Sequence, residues 1–190
     1  HAVHLSSGKP EEMPYGRLAL QAYEELGDLA GQGHSANNLA LTALETGHWT
    51  EARELLDRAS RSFGRVGDEA NQANAVYNLA EVMVRQGRLA EAEPLLQDVL
   101  RIARAVEDEE LVALALREKG RVSGGTGRPD LGLRELDGAR RRFTELGLTQ
   151  ELVTVSTAEA ECYLLAGEDA EALARADEAL AAARVHAEAL

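Results

Sequence analysis

Two pairs of side chains are suited to recognition chemistry. Asn38 and Asn78 stand 40 residues apart, each at the head of an Asn-Leu-Ala triplet. An amide that both donates and accepts can pair with the backbone of an extended ligand whatever that ligand's sequence. The same asparagines could instead bond their own local backbone. Arg117 and Arg121 lie one helical turn apart, a spacing at which two guanidinium groups can grip one carboxylate. Glu118 sits between them and competes for the same groups.

Catalytic chemistry finds no comparable set. His1, His4, His34, His48 and His186 are scattered, and no two have the i, i+4 spacing of a helical metal site. No metal ligand set and no cofactor site are therefore expected, and His34 reads as a polar residue early in a helix. The stretch Ser123-Gly124-Gly125-Thr126-Gly127-Arg128 is glycine-rich but lacks the Gly-Lys-Ser/Thr ending that holds nucleotide phosphates; a frayed helix end is expected there. Glu107-Asp108-Glu109-Glu110 suits a helix start, where carboxylates meet the positive end of the dipole. Cys162, the single cysteine, falls inside a helical pattern and reads as a small core residue in a reducing, hence cytoplasmic, setting. The chain is expected not to be an enzyme.

The formal net charge of −13 opposes general nucleic-acid binding, which depends on clustered cations. Arg140-Arg141-Arg142 is the one basic cluster and is expected to be a solvated helix face. No apolar run of about 18 residues is present, so neither a membrane span nor a membrane partner is expected. The first ten residues carry neither a signal pattern nor a periodicity and are expected to be a linker or disordered end.

The elements that would position these residues follow from a repeated phrase. Gly47-His48-Trp49-Thr50-Glu51-Ala52 returns as Gly87-Arg88-Leu89-Ala90-Glu91-Ala92 and as Gly167-Glu168-Asp169-Ala170-Glu171-Ala172, with Gly127-Arg128-Pro129-Asp130-Leu131-Gly132 as a weakened copy. A period of 40 residues means stacked helical hairpins, since so small a unit cannot bury its own apolar face. After each glycine, Ala52, Ala92, Gly132 and Ala172 share a column, followed by Leu56, Leu96, Leu136 and Ala176, then Ala59, Val99, Ala139 and Ala179. Steps of four and three residues set these on one helical face. Between hairpins the boundary is marked by Leu26-Gly27-Asp28, Val66-Gly67-Asp68, Val106-Glu107-Asp108 and Leu146-Gly147-Leu148, where a glycine suits a left-handed helix stop and an Asp can cap the helix that follows. First helices are thus expected near 29–46, 69–86, 109–124 and 149–166, and second helices near 50–66, 90–106, 130–146 and 169–186. A further helix near 11–26 is the second half of a truncated repeat. The domain reading is 11–28 for that half, then repeats at 29–68, 69–108, 109–148 and 149–190.

With Leu39-Ala40, Gly47, Ala52 and Leu56 in one block and Leu79-Ala80, Gly87, Ala92 and Leu96 in the next, the chain resembles the tetratricopeptide repeat family. That resemblance implies an all-α, right-handed superhelix of about nine helices. The period exceeds the family's usual 34, and no proline closes the second helix at Gly64, Arg104, Thr144 or Arg184. This longer variety is similar to the repeats of kinesin light chains. The phrases Glu24-Glu25-Leu26-Gly27-Asp28, Asn37-Asn38-Leu39-Ala40 and Gly87 through Leu96 also resemble the C-terminal arrays of bacterial regulators that carry an ATPase or nucleotide-cyclase domain upstream.

In such arrays the first helices line the concave surface. By resemblance, the groove columns hold His34, Asn37, Asn38 and Leu41, then Asn74, Tyr77, Asn78 and Glu81, then Leu114, Arg117, Glu118 and Arg121. The expected function is a protein–protein interaction scaffold, part of a larger bacterial signalling or transcriptional regulator, that docks a peptide or partner domain. The alternative is a receptor domain sensing a small signalling peptide or metabolite. Tyr15, Leu18 and Ala22 at one end, and Ala174, Ala181, Ala182 and Val185 at the other, lack a covering helix, so self-association through 11–26 or 169–190 is also expected.

Overall fold

The structure, a computed structural model, describes residues 13–188, with side chains from 15 to 185. The expectation for residues 1–10 lies outside the described residues. Within them the chain forms nine α-helices and no strand: α1 Met13–Leu26, α2 Leu29–Glu45, α3 Trp49–Val66, α4 Glu69–Arg85, α5 Leu89–Ala105, α6 Glu109–Gly125, α7 Pro129–Glu145, α8 Thr149–Ala166 and α9 Asp169–Glu188. The second helices of the four full repeats run 17 to 20 residues, as the missing proline implied.

The joints explain the lengths. Each of the eight joints between helices holds one residue with positive φ, and glycine fills that place at 27, 47, 67, 87, 127, 147 and 167. The eighth such residue is Glu107, at φ 56°. A side chain in the left-handed region costs about 1 kcal/mol or more relative to glycine. Glu107→Gly is therefore expected to raise stability by about 1 kcal/mol and the melting temperature by about 2–4 °C, read by thermal denaturation. A variant no more stable than the parent would mean that Glu107 gains an offsetting contact.

Aspartates start the helices that follow. Asp28 accepts from the Gly31 amide at 3.0 Å, Asp68 from Asn71 at 3.1 Å and Asp108 from Leu111 at 2.9 Å. The Asn71 side chain adds a second bond to Asp68 at 2.7 Å, and the Asn71 bonds hold the Asp68 carboxyl below its usual pKa. The acidic run at 107–110 is thus a helix start, as its sequence suggested.

The chain divides into two compact units, with the division inside α4 between Val82 and Met83. The first unit's core gathers Leu20, Ala36, Leu39, Ala59, Phe63 and Ala75, with Leu55 packed against it. In the second, Ala113, Leu136, Ala139, Phe143, Val155, Ala158 and Cys162 form one cluster. Phe63 and Phe143 occupy the same repeat position in their respective units.

The glycine-rich end of α6 is not frayed, contrary to expectation. Helix continues through Gly125, and Gly120 and Gly124 are buried. A Cβ on Gly132 of α7 would lie 2.7 Å from the Gly120 carbonyl oxygen, and one on Gly124 would lie 2.5 Å from the Cys162 sulfur. Missing side chains here let α6, α7 and α8 come close, and packing outweighs the low helix propensity of glycine. Cys162 is 1% exposed and its thiol is pushed up to about 11, chiefly by burial, so it fills space and stays protonated.

Candidate partner-binding face

In the first unit the polar residues of α2 and α4 meet. Asn78 donates through Nδ2 to Oδ1 of Asn37 at 3.1 Å, a bond between residues 41 apart in sequence. Stacking of one first helix on the next makes this bond, because side chains one repeat apart then share a surface. Asn38 is exposed, and only its backbone carbonyl is engaged, accepting from Thr42 Oγ1 at 3.3 Å. Its side-chain amide makes no hydrogen bond among the described residues. Asn74 turns back on its own helix and donates to the Ala70 carbonyl at 3.0 Å. The local-backbone alternative therefore describes Asn74, not Asn78.

His34 is exposed and its ring meets that of Phe63 edge-on, with centroids 4.9 Å apart at 73°. Tyr77 is buried at 6% exposure and Glu81 is half-buried.

Arg117 and Arg121 belong to the second unit, and each is already engaged. Arg117, at 8% exposure, donates from Nε to Glu118 at 3.0 Å and from Nη1 to Thr154 at 3.1 Å, and it also bonds Glu151 of α8. Arg121 donates to the other oxygen of Glu118 at 3.2 Å and lies 3.6 Å from Glu161. The carboxylate that the two arginines grip is Glu118, only 2% exposed. Such an arrangement satisfies a buried charge from both sides and ties α6 to α8.

The basic triplet of α7 departs from the solvated face expected of it. Arg140 reaches Glu159 at 2.7 Å, Ser156 at 2.8 Å and Glu178 at 2.9 Å, and Arg142 bonds Glu109 at 3.0 Å. Only Arg141 is mostly in solvent, beside Asp137. Successive residues of a helix point about 100° apart, so three adjacent arginines cannot share one environment.

Sequence reasoning missed a related set. Lys119 and Ser123 both bond Glu135, and Arg175 lies 3.4 Å from Glu159. In repeat position, Lys119 with Glu135 and Glu159 with Arg175 stand where Leu39 stands with Leu55. Charge in a column that is leucine elsewhere was the available signal. No helix among the described residues is long and apolar enough to cross a membrane.

A family model for the tetratricopeptide repeat matches residues 31–105 and 71–131, together spanning 31–131 of the 190 residues. No curated protein matches. Among solved structures the chain is similar to BtubC (BKLC) from P. vanneervenii, with a TM-score of 0.75 at 20% identity over 90% of this chain and 71% of that one. It is also similar to a variant of the nearly identical TPR-like repeats of a kinesin light chain from Podosopora anserina, with a TM-score of 0.63 at 16% identity over 94% and 97%. A third is MamA from Desulfovibrio magneticus RS-1, with a TM-score of 0.59 at 14% identity over 95% and 98%.

Proposed function

This chain belongs to the tetratricopeptide repeat family, whose fold is a scaffold for protein–protein interaction, and we propose that it docks an extended peptide segment of a partner on the α2–α4 face of its first unit. The observation that carries this reading is the exposed, uncommitted amide of Asn38 beside the Asn37–Asn78 pair. A β-like peptide backbone offers alternating N–H and C=O groups, and two amides along a helix face can answer both. Specificity then comes from neighbours such as the exposed His34, whose ring nitrogens favour a ligand with a polar group opposite them. The role of Arg117 and Arg121 in this scheme is structural, since their charges already face protein carboxylates. In the natural setting the scaffold serves a bacterial signalling or transcriptional regulator, the context its resemblance suggests.

A phage-displayed library of random 12-residue peptides selected on the whole chain supplies the probe. Selected peptides, titrated by calorimetry, are expected to bind Asn38→Ala about tenfold more weakly, a loss of about 1.4 kcal/mol for hydrogen bonds to the ligand backbone. Circular dichroism of that variant should be unchanged because Asn38 is exposed. Equal affinities for parent and variant would remove the asparagine face from the reading and leave the sensing of a small ligand elsewhere as its successor.

A further inference from the structure

We infer that the trough between α8 and α9 receives α9 of a second copy of this chain, packed antiparallel about a two-fold axis. The trough holds about 350 Å³ and is lined by Val153, Thr157 and Ala160 of α8 with Ala176, Ala179, Leu180 and Ala183 of α9. One repeat earlier the matching residues are Ala113, Arg117, Gly120, Leu136, Ala139, Arg140 and Phe143; the apolar four, Ala113, Leu136, Ala139 and Phe143, are buried in one cluster with Val155, Ala158 and Cys162 of α8, and both arginines bond α8 as well. The trough is therefore a helix seat by construction. It is also a hollower seat, because Ala176 and Ala183 stand where Leu136 and Phe143 fill the previous one. A helix that fits must bring larger knobs than the small residues α8 uses.

Helix α9 itself carries those knobs beside the hollows. Leu173 is 64% and Leu180 50% exposed, and Ala176 and Ala183 are exposed between and after them. Steps of three, four and three residues put the four on one seam of the helix. Read forward the seam is Leu-Ala-Leu-Ala, and read backward it is Ala-Leu-Ala-Leu. An antiparallel copy thus sets Leu173 against Ala183 and Ala176 against Leu180, each contact made twice, whereas a parallel copy sets leucine on leucine and alanine on alanine. Charge points the same way. Asp169 and Glu171 are exposed at the start of α9 and Arg184 is exposed near its end. Antiparallel packing brings Arg184 of each copy to the acidic turn of the other and opposes the two helix dipoles.

Sedimentation of the whole chain is expected to show a monomer–dimer equilibrium complete by about 1 mM. Leu180→Ala should raise the dissociation constant about a hundredfold, as about tenfold for each of two lost leucine contacts. Leu180→Asp should leave only monomer. Leu180 is 50% exposed, so helicity and melting of the monomer should not change. Orientation is read by oxidative trapping: a mixture of Leu173→Cys and Ala183→Cys chains should cross-link, and Leu173→Cys alone should not. A chain that stays monomeric at about 1 mM, or a dimer that Leu180→Asp does not dissociate, overturns the inference and leaves a helix of another protein as the occupant. Self-linking of Leu173→Cys overturns the antiparallel arrangement.

Discussion

Replacing Arg117 by alanine is expected to destabilise the protein by about 3 kcal/mol and to lower the melting temperature by about 6–12 °C. The substitution removes the guanidinium that bonds Glu118, Thr154 and Glu151 at once. Glu118 is then left in the interior at 2% exposure with a single bond to Arg121 at 3.2 Å. Breaking one side of a buried ion pair costs about 3–5 kcal/mol because the remaining charge keeps its desolvation penalty, and the surviving Arg121 contact argues for the lower end. Removing both charges is expected to cost much less. The double replacement Arg117→Asn with Glu118→Asn copies Asn37-Asn38 of the first unit and should recover most of the loss in urea titrations. If Arg117→Ala unfolds at the parental midpoint, the buried network does not hold α6 to α8.

Gly132→Ala is expected to destabilise and Gly64→Ala to stabilise, although both are glycines inside helices. At Gly132 the added carbon meets the Gly120 carbonyl oxygen at 2.7 Å and the Gly124 nitrogen at 3.0 Å, both backbone atoms that no rotamer change can move. Separating two packed helices costs about 3 kcal/mol, against about 1 kcal/mol gained from the better helix propensity of alanine. The net loss of about 2 kcal/mol lowers the melting temperature by about 4–8 °C. At Gly64 the nearest atom is the amide nitrogen of Gln72 at 3.0 Å, the free end of a flexible side chain. It can swing away, so up to about 1 kcal/mol of propensity is gained. Opposite signs in thermal melts check the pair, and a shared sign would show that close approach of α6 and α7 is not what selects glycine.

The 40-residue period made the fold legible, because glycine joints and alanine columns are local signals repeated in register. What stayed hidden depends on contacts between repeats. Arg117 finds Glu151 34 residues ahead and Asn78 finds Asn37 41 behind. Neither offset appears in a single hairpin. Arg117 and Arg121 look available in sequence because a charged side chain on a helix usually points to water; Glu118 between them was visible, but Glu151, Thr154 and Glu161 come from the next helix pair. Gly124 and Gly125 look like a fraying end by propensity, but the Cys162 sulfur lies against Gly124 and the Leu89 side chain against Gly125.

A chain of near copies faces a sorting problem while it folds, since a first helix from one hairpin can settle on the second helix of another. The ionic columns bear on it. Lys119 pairs with Glu135, and Glu159 lies by Arg175, the same two positions with the signs exchanged. Exchange partners between these hairpins and Lys119 faces Arg175 while Glu159 faces Glu135. Each wrong match buries like charges, whereas leucine at both places would accept either helix. Polarity reversed from one hairpin to the next thus works as an address, and a chain with Lys119, Glu135, Glu159 and Arg175 all changed to leucine should refold with more mispaired and swapped species even if its native state is the more stable one.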